Sequence, residues 1–387
     1  MQELLKKKKI LIKIGSSSLV NEDYSVNEPV LVTILSQIKK LLDDGNLVCV
    51  VTSGAIAVGM HELGLKKKPK EMALKQACAA LGQAKLMEAY NKVAKIYNLM
   101  LGQILLNHDD FQFRNRMIHL SDTLDSMFKN RIIPIINEND ALAVDEIKVG
   151  DNDTLAAMIS PMIEADLVIL FSDIDGLYDK NPKEYKDAVL IDYVDKIDSK
   201  IISYASDSNS SVGTGGMKTK IDAAIISTMA GSDMIICNSN KLDRLYDISK
   251  GLKIGTLFKG LKNTISKREH WMIFKATSQG SITIDEGLEK ALDERKLSIL
   301  PKGVLHVDGE FLSSSVIDII NKNGLIIAKG ITNYSSQEID SVIGLSSIDA
   351  FNKIGFEAKK GIVYADNLVL LKEGFYGRFV KWKTCSL

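Results

Sequence analysis

Six short apolar runs constrain this chain more than any other feature: ILIKIG (10–15), LVCVVTSG (47–54), LGQILL (101–106), RIIPIIN (131–137), ADLVILFSD (165–173) and SDMIICN (232–238). Amphipathic stretches at 28–44, 70–98, 153–164 and 217–230 lie between them. Strands that are apolar on both faces need cover on both faces, and the intervening helices supply it. The alternation therefore predicts an α/β fold with a mainly parallel sheet between helices.

In such sheets ligands sit at the carboxyl ends of the strands. Here those ends are polar and rich in glycine. The first run leads into Lys13-Ile14-Gly15-Ser16 and the second into Thr52-Ser53-Gly54. The fourth leads into Asn137-Glu138-Asn139-Asp140, and the fifth into Ser172-Asp173-Ile174-Asp175-Gly176. A helix opening at Gly150-Asp151-Asn152-Asp153-Thr154 adds carboxylates. One such end is ordinary turn or capping chemistry. Four on one edge predict a ligand site.

Other classes fall away on composition. Lys plus Arg and Asp plus Glu both number 49, so no global field recruits nucleic acid or an acidic membrane. Cys49, Cys78, Cys237 and Cys385 are far apart, as expected of reduced thiols in a cytoplasmic protein. The five histidines are scattered, which argues against a histidine metal site. No apolar run reaches the length of a membrane span. Lys13 interrupts the first apolar run and no small-residue cleavage site follows it, so no signal peptide is expected. Lys6–Lys9 is expected to be a solvated charge run.

The βα rhythm spans 1–260 and breaks at 261–278, a polar segment expected to be a link. Short strands with turn signals follow over 279–366, where NKNG and VDGEF look like hairpin turns. This predicts a small β-rich second domain, with 367–387 as a tail. Residues 279–371 hold nine Lys/Arg and thirteen Asp/Glu, a net charge of −4 that disfavours RNA binding.

SVGTGGMKTK (211–220) resembles a phosphate loop but fails the P-loop pattern, because Met217 separates Gly216 from Lys218. Lys13 with Gly15, Ser53 with Gly54, and Thr214–Gly216 with Lys218 or Lys220 suit a polyphosphate. Asp140, Asn152, Asp153 and Asp173 suit a magnesium ion, an amino group or the shaping of the lysines. Ser16, Ser17, Ser18 and Ser53 have no histidine near in sequence, so direct phosphoryl transfer is expected over a covalent enzyme intermediate. Lys218 and Lys220 lie two apart at a helix start and point in different directions, so at most one faces the phosphates. Asp151 suits either the helix dipole or a magnesium or substrate contact. Asp175 reads as a turn residue, and 70–98 as a long helix whose alanine-rich face packs, at a subunit interface or internally.

KIGSSSLV, VTSGAIAVG, PIINENDALAVDEIKVGDNDTLAA, FSDIDGLYDKNP and VGTGGMKTK, in that order, resemble the glutamate 5-kinases of the amino acid kinase superfamily over roughly 1–260. The second domain resembles the PUA domain of many bacterial members. The resemblance implies an αβα sandwich and ATP-dependent phosphorylation of the glutamate side-chain carboxylate, the first step of proline synthesis, with Mg2+. It implies that Ser53, Asp140 and Asn152 contact glutamate. Lys13 and Lys220 would stabilise the transferring phosphoryl group, held in place by Asp153. Gly15, Ser172, Asp173 and the loop Thr214, Gly215, Gly216, Met217, Lys218, Thr219 and Lys220 would belong to the ATP side together with Lys13. Proline is implied as feedback inhibitor, a dimer or tetramer as the assembly, and glutamyl phosphate reductase as a transient partner. Two departures are mild: serine replaces a common threonine in the first motif and again at Ser172. The tail 372–387, with four basic residues, one acidic residue and four aromatics, extends past the family end as a lineage-specific or docking segment.

Overall fold

A computed structural model describes residues 8–142, 152–182, 184–206, 216–261, 267–274, 276–355, 357 and 361–371. The chain divides into two compact units, 1–265 and 266–387.

The first unit runs β1 (Lys9–Ile14), α1 (Ser16–Leu19), α2 (Glu28–Asp43), β2 (Leu47–Val51), α3 (Ala55–Glu62), α4 (Met72–Ile96), β3 (Met100–Leu106), α5 (Arg114–Lys129) and β4 (Ile132–Glu138). It continues with α6 (Asn152–Ile159), β5 (Leu167–Ser172), β6 (Leu177–Tyr178), β7 (Leu190–Ile191), β8 (Tyr193–Val194), α7 (Ser199–Ser206), α8 (Met217–Met229), β9 (Asp233–Asn238), α9 (Leu245–Ser249) and β10 (Thr256–Phe258). All six expected strands and all four expected helices form, with ends shifted by up to a few residues. Eight strands make one sheet in the order β3-β4-β2-β1-β5-β9-β10-β8. From β3 to β9 every pairing is parallel. Only β10 runs antiparallel to its neighbour β9.

This order puts the polar strand ends on one edge. Strand β1 continues through α2 to β2 on one side, whereas β5 continues to β9 on the other. The connections diverge between β1 and β5, the switch point at whose carboxyl ends sheets of this kind bind ligands. Alternation along the strands then sorts side chains by face. Ile10, Ile12 and Ile14 of β1 share a core with Val48 and Val50 of β2, Ile133 and Ile135 of β4, and Leu86 and Tyr90 of α4. Lys13 points to the opposite face, toward α6 and α8. Thr52 and Asn137 continue the α4-facing rows of β2 and β4. Helices α3 and α4 meet closely: a Cβ on Gly59 would lie 1.8 Å from the Cys78 carbonyl oxygen, and one on Gly82 would lie 1.9 Å from that of Ala55. Only glycine permits this approach.

Cys49, Cys78 and Cys237 are buried free thiols. Burial pushes the Cys237 thiol up to about 12. Cys385 lies outside the described residues. Among these residues no helix is long and apolar enough to cross a membrane.

The second unit comprises α10 (Lys267–Phe274), β11 (Ser281–Ile284), α11 (Glu286–Glu294), β12 (Val304–Asp308), β13 (Val316–Ile320), β14 (Ile326–Thr332), α12 (Ser336–Val342), α13 (Ser347–Ile354) and β15 (Val363–Leu370). Its sheet has the order β12-β11-β13-β14-β15. NKNG does turn an antiparallel hairpin between β13 and β14. VDGEF does not, because β11 lies between β12 and β13, antiparallel to one and parallel to the other. Part of the expected link is also structured. Helix α10 buries Trp271, Met272, Ile273 and Phe274, whose apolar surface outweighs the polar residues around them. The tail 372–387 lies outside the described residues.

Candidate active site

Beside this switch point a buried carboxylate lies between two ammonium groups. Lys13 Nζ lies 2.5 Å from Asp153 Oδ1, and Lys220 Nζ lies 3.1 Å from Asp153 Oδ2. Lys13 is 7% exposed, Lys220 4% and Asp153 0%. Three elements supply them: the end of β1, the first turn of α6 and the first turn of α8. Ionised groups this deep are costly unless paired, and here one carboxylate holds two cations that would otherwise repel. By themselves these three residues carry a net charge of +1.

Lys218 is exposed whereas Lys220 is buried, as their spacing on the helix requires. Gly216 is the N-cap of α8 and contributes no side-chain hydrogen bond, while Thr219 Oγ1 donates to the Gly216 carbonyl at 2.9 Å. Met217 is half-buried beside them. Thr214, Gly215 and Asp151 lie outside the described residues. Gly15 caps α1, and a Cβ there would come no closer than 3.8 Å to Lys13 Nζ. Ser172, 6% exposed, ends β5 and donates to Asp173 Oδ1 at 2.9 Å. Asp173 itself is exposed. Asp175 accepts from Asn238 Nδ2 at 3.0 Å and from Tyr178 Oη at 3.2 Å, tying its turn to the end of β9.

A second cluster adjoins the first through α6. Asn152 Nδ2 donates to the Thr52 carbonyl at 2.8 Å, to Ser53 Oγ at 2.7 Å and to Asn137 Oδ1 at 3.1 Å. Gly54 follows with φ +100°, a left-handed turn that ends β2 and starts α3. Asn137 Nδ2 donates in turn to Gln83 Oε1 at 2.9 Å. Thr52 Oγ1 lies 3.0 Å from Tyr90 Oη, whose pKa is pushed up to about 12 by burial.

Asp140 lines a cavity of about 290 Å³ with Gln83, Gln103, Glu138, Asn139 and a wall of alanines. Burial raises its carboxyl above the ordinary carboxylate range, against a weaker opposing pull from Lys68. A carboxyl in that condition gains from a cationic partner.

The structure thus joins Lys13, Asp153 and Lys220 in one cluster and Ser53 with Asn152 in another, and sets Asp140 in a cavity wall. Gln83 had no place in the expected site, and Asn137 stood in it only as one of the polar residues ending the fourth run, with no role of its own. Their signals were a polar residue closing an otherwise apolar strand and a glutamine beside Gly82 among small apolar residues.

Residues 8–238 match the Amino acid kinase family and residues 280–350 the PUA domain. Glutamate 5-kinase of Caldanaerobacter subterraneus subsp. tengcongensis is 41% identical over 366 residues, covering 95% of this chain and 98% of that one. Glutamate 5-kinase of Methanococcoides burtonii is 42% identical over 366 residues, 94% of this chain and 97% of that one. That of Carboxydothermus hydrogenoformans is 40% identical over 373 residues, 96% of this chain and all of the other.

Proposed function

Because the chain belongs to the amino acid kinase family and, within it, to the glutamate 5-kinases, we propose that Lys13, Asp153 and Lys220 form its phosphoryl-transfer centre and that Ser53, Asp140 and Asn152 hold glutamate. The protein phosphorylates the side-chain carboxylate of glutamate with ATP to give glutamyl 5-phosphate, the first step of proline synthesis. The observation that carries the residue assignment is the buried Lys13–Asp153–Lys220 cluster, two lysines held on one carboxylate.

Bound ATP supplies the γ-phosphoryl group. The protein's part is positioning and charge. A carboxylate acceptor is already ionised at neutral pH, so no general base is required. Lys13 and Lys220 face the oxygens on which negative charge accumulates, and Asp153 fixes them in place before the substrates arrive. Gly15 and the start of α8 at Gly216 bring backbone toward the phosphates, in keeping with anion binding at helix starts. Ser172 and Asp173 belong to the same nucleotide side. Mg2+ at such sites is held by one or two carboxylates plus phosphate oxygens. That demand does not require the three-residue ligand cluster absent among the described residues. Asp140 pairs with the substrate ammonium in the 290 Å³ cavity.

Family membership also makes proline the expected feedback inhibitor, a homo-oligomer the expected assembly, and glutamyl phosphate reductase the expected consumer of the labile product in the cytoplasm. The test is to offer glutamate, N-acetylglutamate, aspartate and UMP with MgATP and to trap acyl phosphate with hydroxylamine. Hydroxamate from glutamate alone is the expected result. Consumption of UMP without hydroxamate would overturn it.

A further inference from the structure

The amide groups around Asn152 have a defined polarity, and it can be traced from one fixed point. The Thr52 backbone carbonyl can only accept, so the group that Asn152 turns toward it, at 2.8 Å, must be its NH2. That NH2 also meets Asn137 at 3.1 Å, which must therefore present its oxygen. The Asn137 NH2 is left to face Gln83 at 2.9 Å, so Gln83 must present its own oxygen. Each amide dictates the next, and Gln83 closes the relay. Asn137 is 1% exposed, so water cannot readily stand in for its partners.

Two polar atoms are left over. Asn152 Oδ1 and Gln83 Nε2 are buried with no hydrogen-bond partner among the described residues. A glutamine with a buried, unpartnered NH2 is a poor choice for stability alone, because that group forfeits its hydration. Its oxygen, however, is the acceptor that keeps the Asn137 amide from turning over. Gly59 and Gly82 bring α4 into backbone contact with α3 one residue from Gln83, which fixes how deep the side chain sits.

We infer that Gln83 is a positioning residue for glutamate binding: by accepting from the Asn137 NH2 it keeps the Asn137 oxygen on Asn152, and so helps to hold the Asn152 amide in the orientation that the Thr52 carbonyl dictates. The inference rests on the assignment of Asn152 to the glutamate site. With Gln83 in place, Asn152 keeps its NH2 on Thr52 and Ser53 and offers its carbonyl oxygen, an acceptor suited to an N–H donor. Without Gln83, the Asn137 NH2 loses its partner and the Asn137 amide can turn over, which takes one acceptor from the Asn152 NH2 and leaves Asn152 held only by Thr52 and Ser53.

The test is a cycle of Gln83→Met, Asn152→Ala and the double variant, with KM for glutamate and for ATP, kcat and the melting temperature measured for each. Gln83→Met should raise the glutamate KM by about 5- to 20-fold, the effect of one lost hydrogen bond, with the ATP KM within about twofold. Its melting temperature should stay close to wild type, because the unpartnered Gln83 NH2 disappears as the Asn137 NH2 becomes unpartnered. In the Asn152→Ala background, adding Gln83→Met should change the glutamate KM by less than about twofold. Gln83→Glu keeps an acceptor for Asn137 and should bind glutamate more tightly than Gln83→Met; it also serves if the methionine variant does not fold. An unchanged glutamate KM in Gln83→Met, or an equal effect in both backgrounds, would overturn the positioning role. An unchanged glutamate KM in Asn152→Ala alone would instead remove Asn152 from the substrate site.

Discussion

Replacing Lys220 with methionine removes one of the two cations while keeping a similar chain length. The cluster would fall from a net +1 to neutral, with Asp153 still paired to Lys13 at 2.5 Å. A cation about 3.5 Å from a full negative charge, at an effective dielectric of about 20, contributes about 5 kcal/mol. Only part of that charge develops between ground and transition state, so about 3–4 kcal/mol of catalysis should be lost. This corresponds to a fall in kcat of about 10²- to 10³-fold. Because Asp153 retains one partner, the stability loss should be smaller than the ~3–5 kcal/mol typical of stripping a buried charge bare. Initial rates of hydroxamate formation at saturating glutamate and MgATP give kcat, and a thermal melt confirms that the variant is folded at the assay temperature. A folded variant with kcat within a few-fold of wild type would refute the role of Lys220.

Asp140→Ala should raise the KM for glutamate far more than that for ATP; an unchanged glutamate KM would remove Asp140 from the site. Burial raises the Asp140 pKa in the folded protein. The ionised form is the one that pairs with ammonium, so the KM for glutamate should climb as pH falls through that raised value, and Asp140→Asn should abolish the dependence. On stability the sign is opposite: the folded protein binds this proton more tightly, so the destabilisation from Asp140 is full above the raised value and vanishes below the ordinary 3.8. Gly15→Ala should fold with an unchanged melting temperature, since its Cβ would meet nothing closer than 3.8 Å, yet raise the KM for ATP. Gly82→Ala should instead cost several kcal/mol, roughly the upper range for point substitutions, because its Cβ would lie 1.9 Å from a backbone oxygen. Equal melting temperatures for the two alanine variants would show the packing argument to be wrong.

Much of this molecule was legible in the order of its residues. Strand and helix positions follow from local periodicity, which is written in neighbouring side chains. The parallel sheet follows from strands apolar on both faces, such as LVILF (167–171), and the ligand edge from the polar residues at their ends. The spacing of Lys218 and Lys220 on one helix already implied that at most one of them faces the centre, and the resemblance to the glutamate 5-kinases pointed to Lys220. Tertiary structure decided the rest, because it depends on contacts between segments far apart in the chain. Lys13 and Lys220 meet on a single carboxylate only because β1 lies beside β5 while α6 and α8 pack on the same face of the sheet. The insertion of β11 between β12 and β13 undid a hairpin that the local turn residues favoured. The signal at Gln83, a glutamine beside Gly82 among small apolar residues, does not tell a site residue from an ordinary helix residue. The Gln83 hydrogen bond is decided by a backbone carbonyl on another element, which fixes the direction of every amide between them.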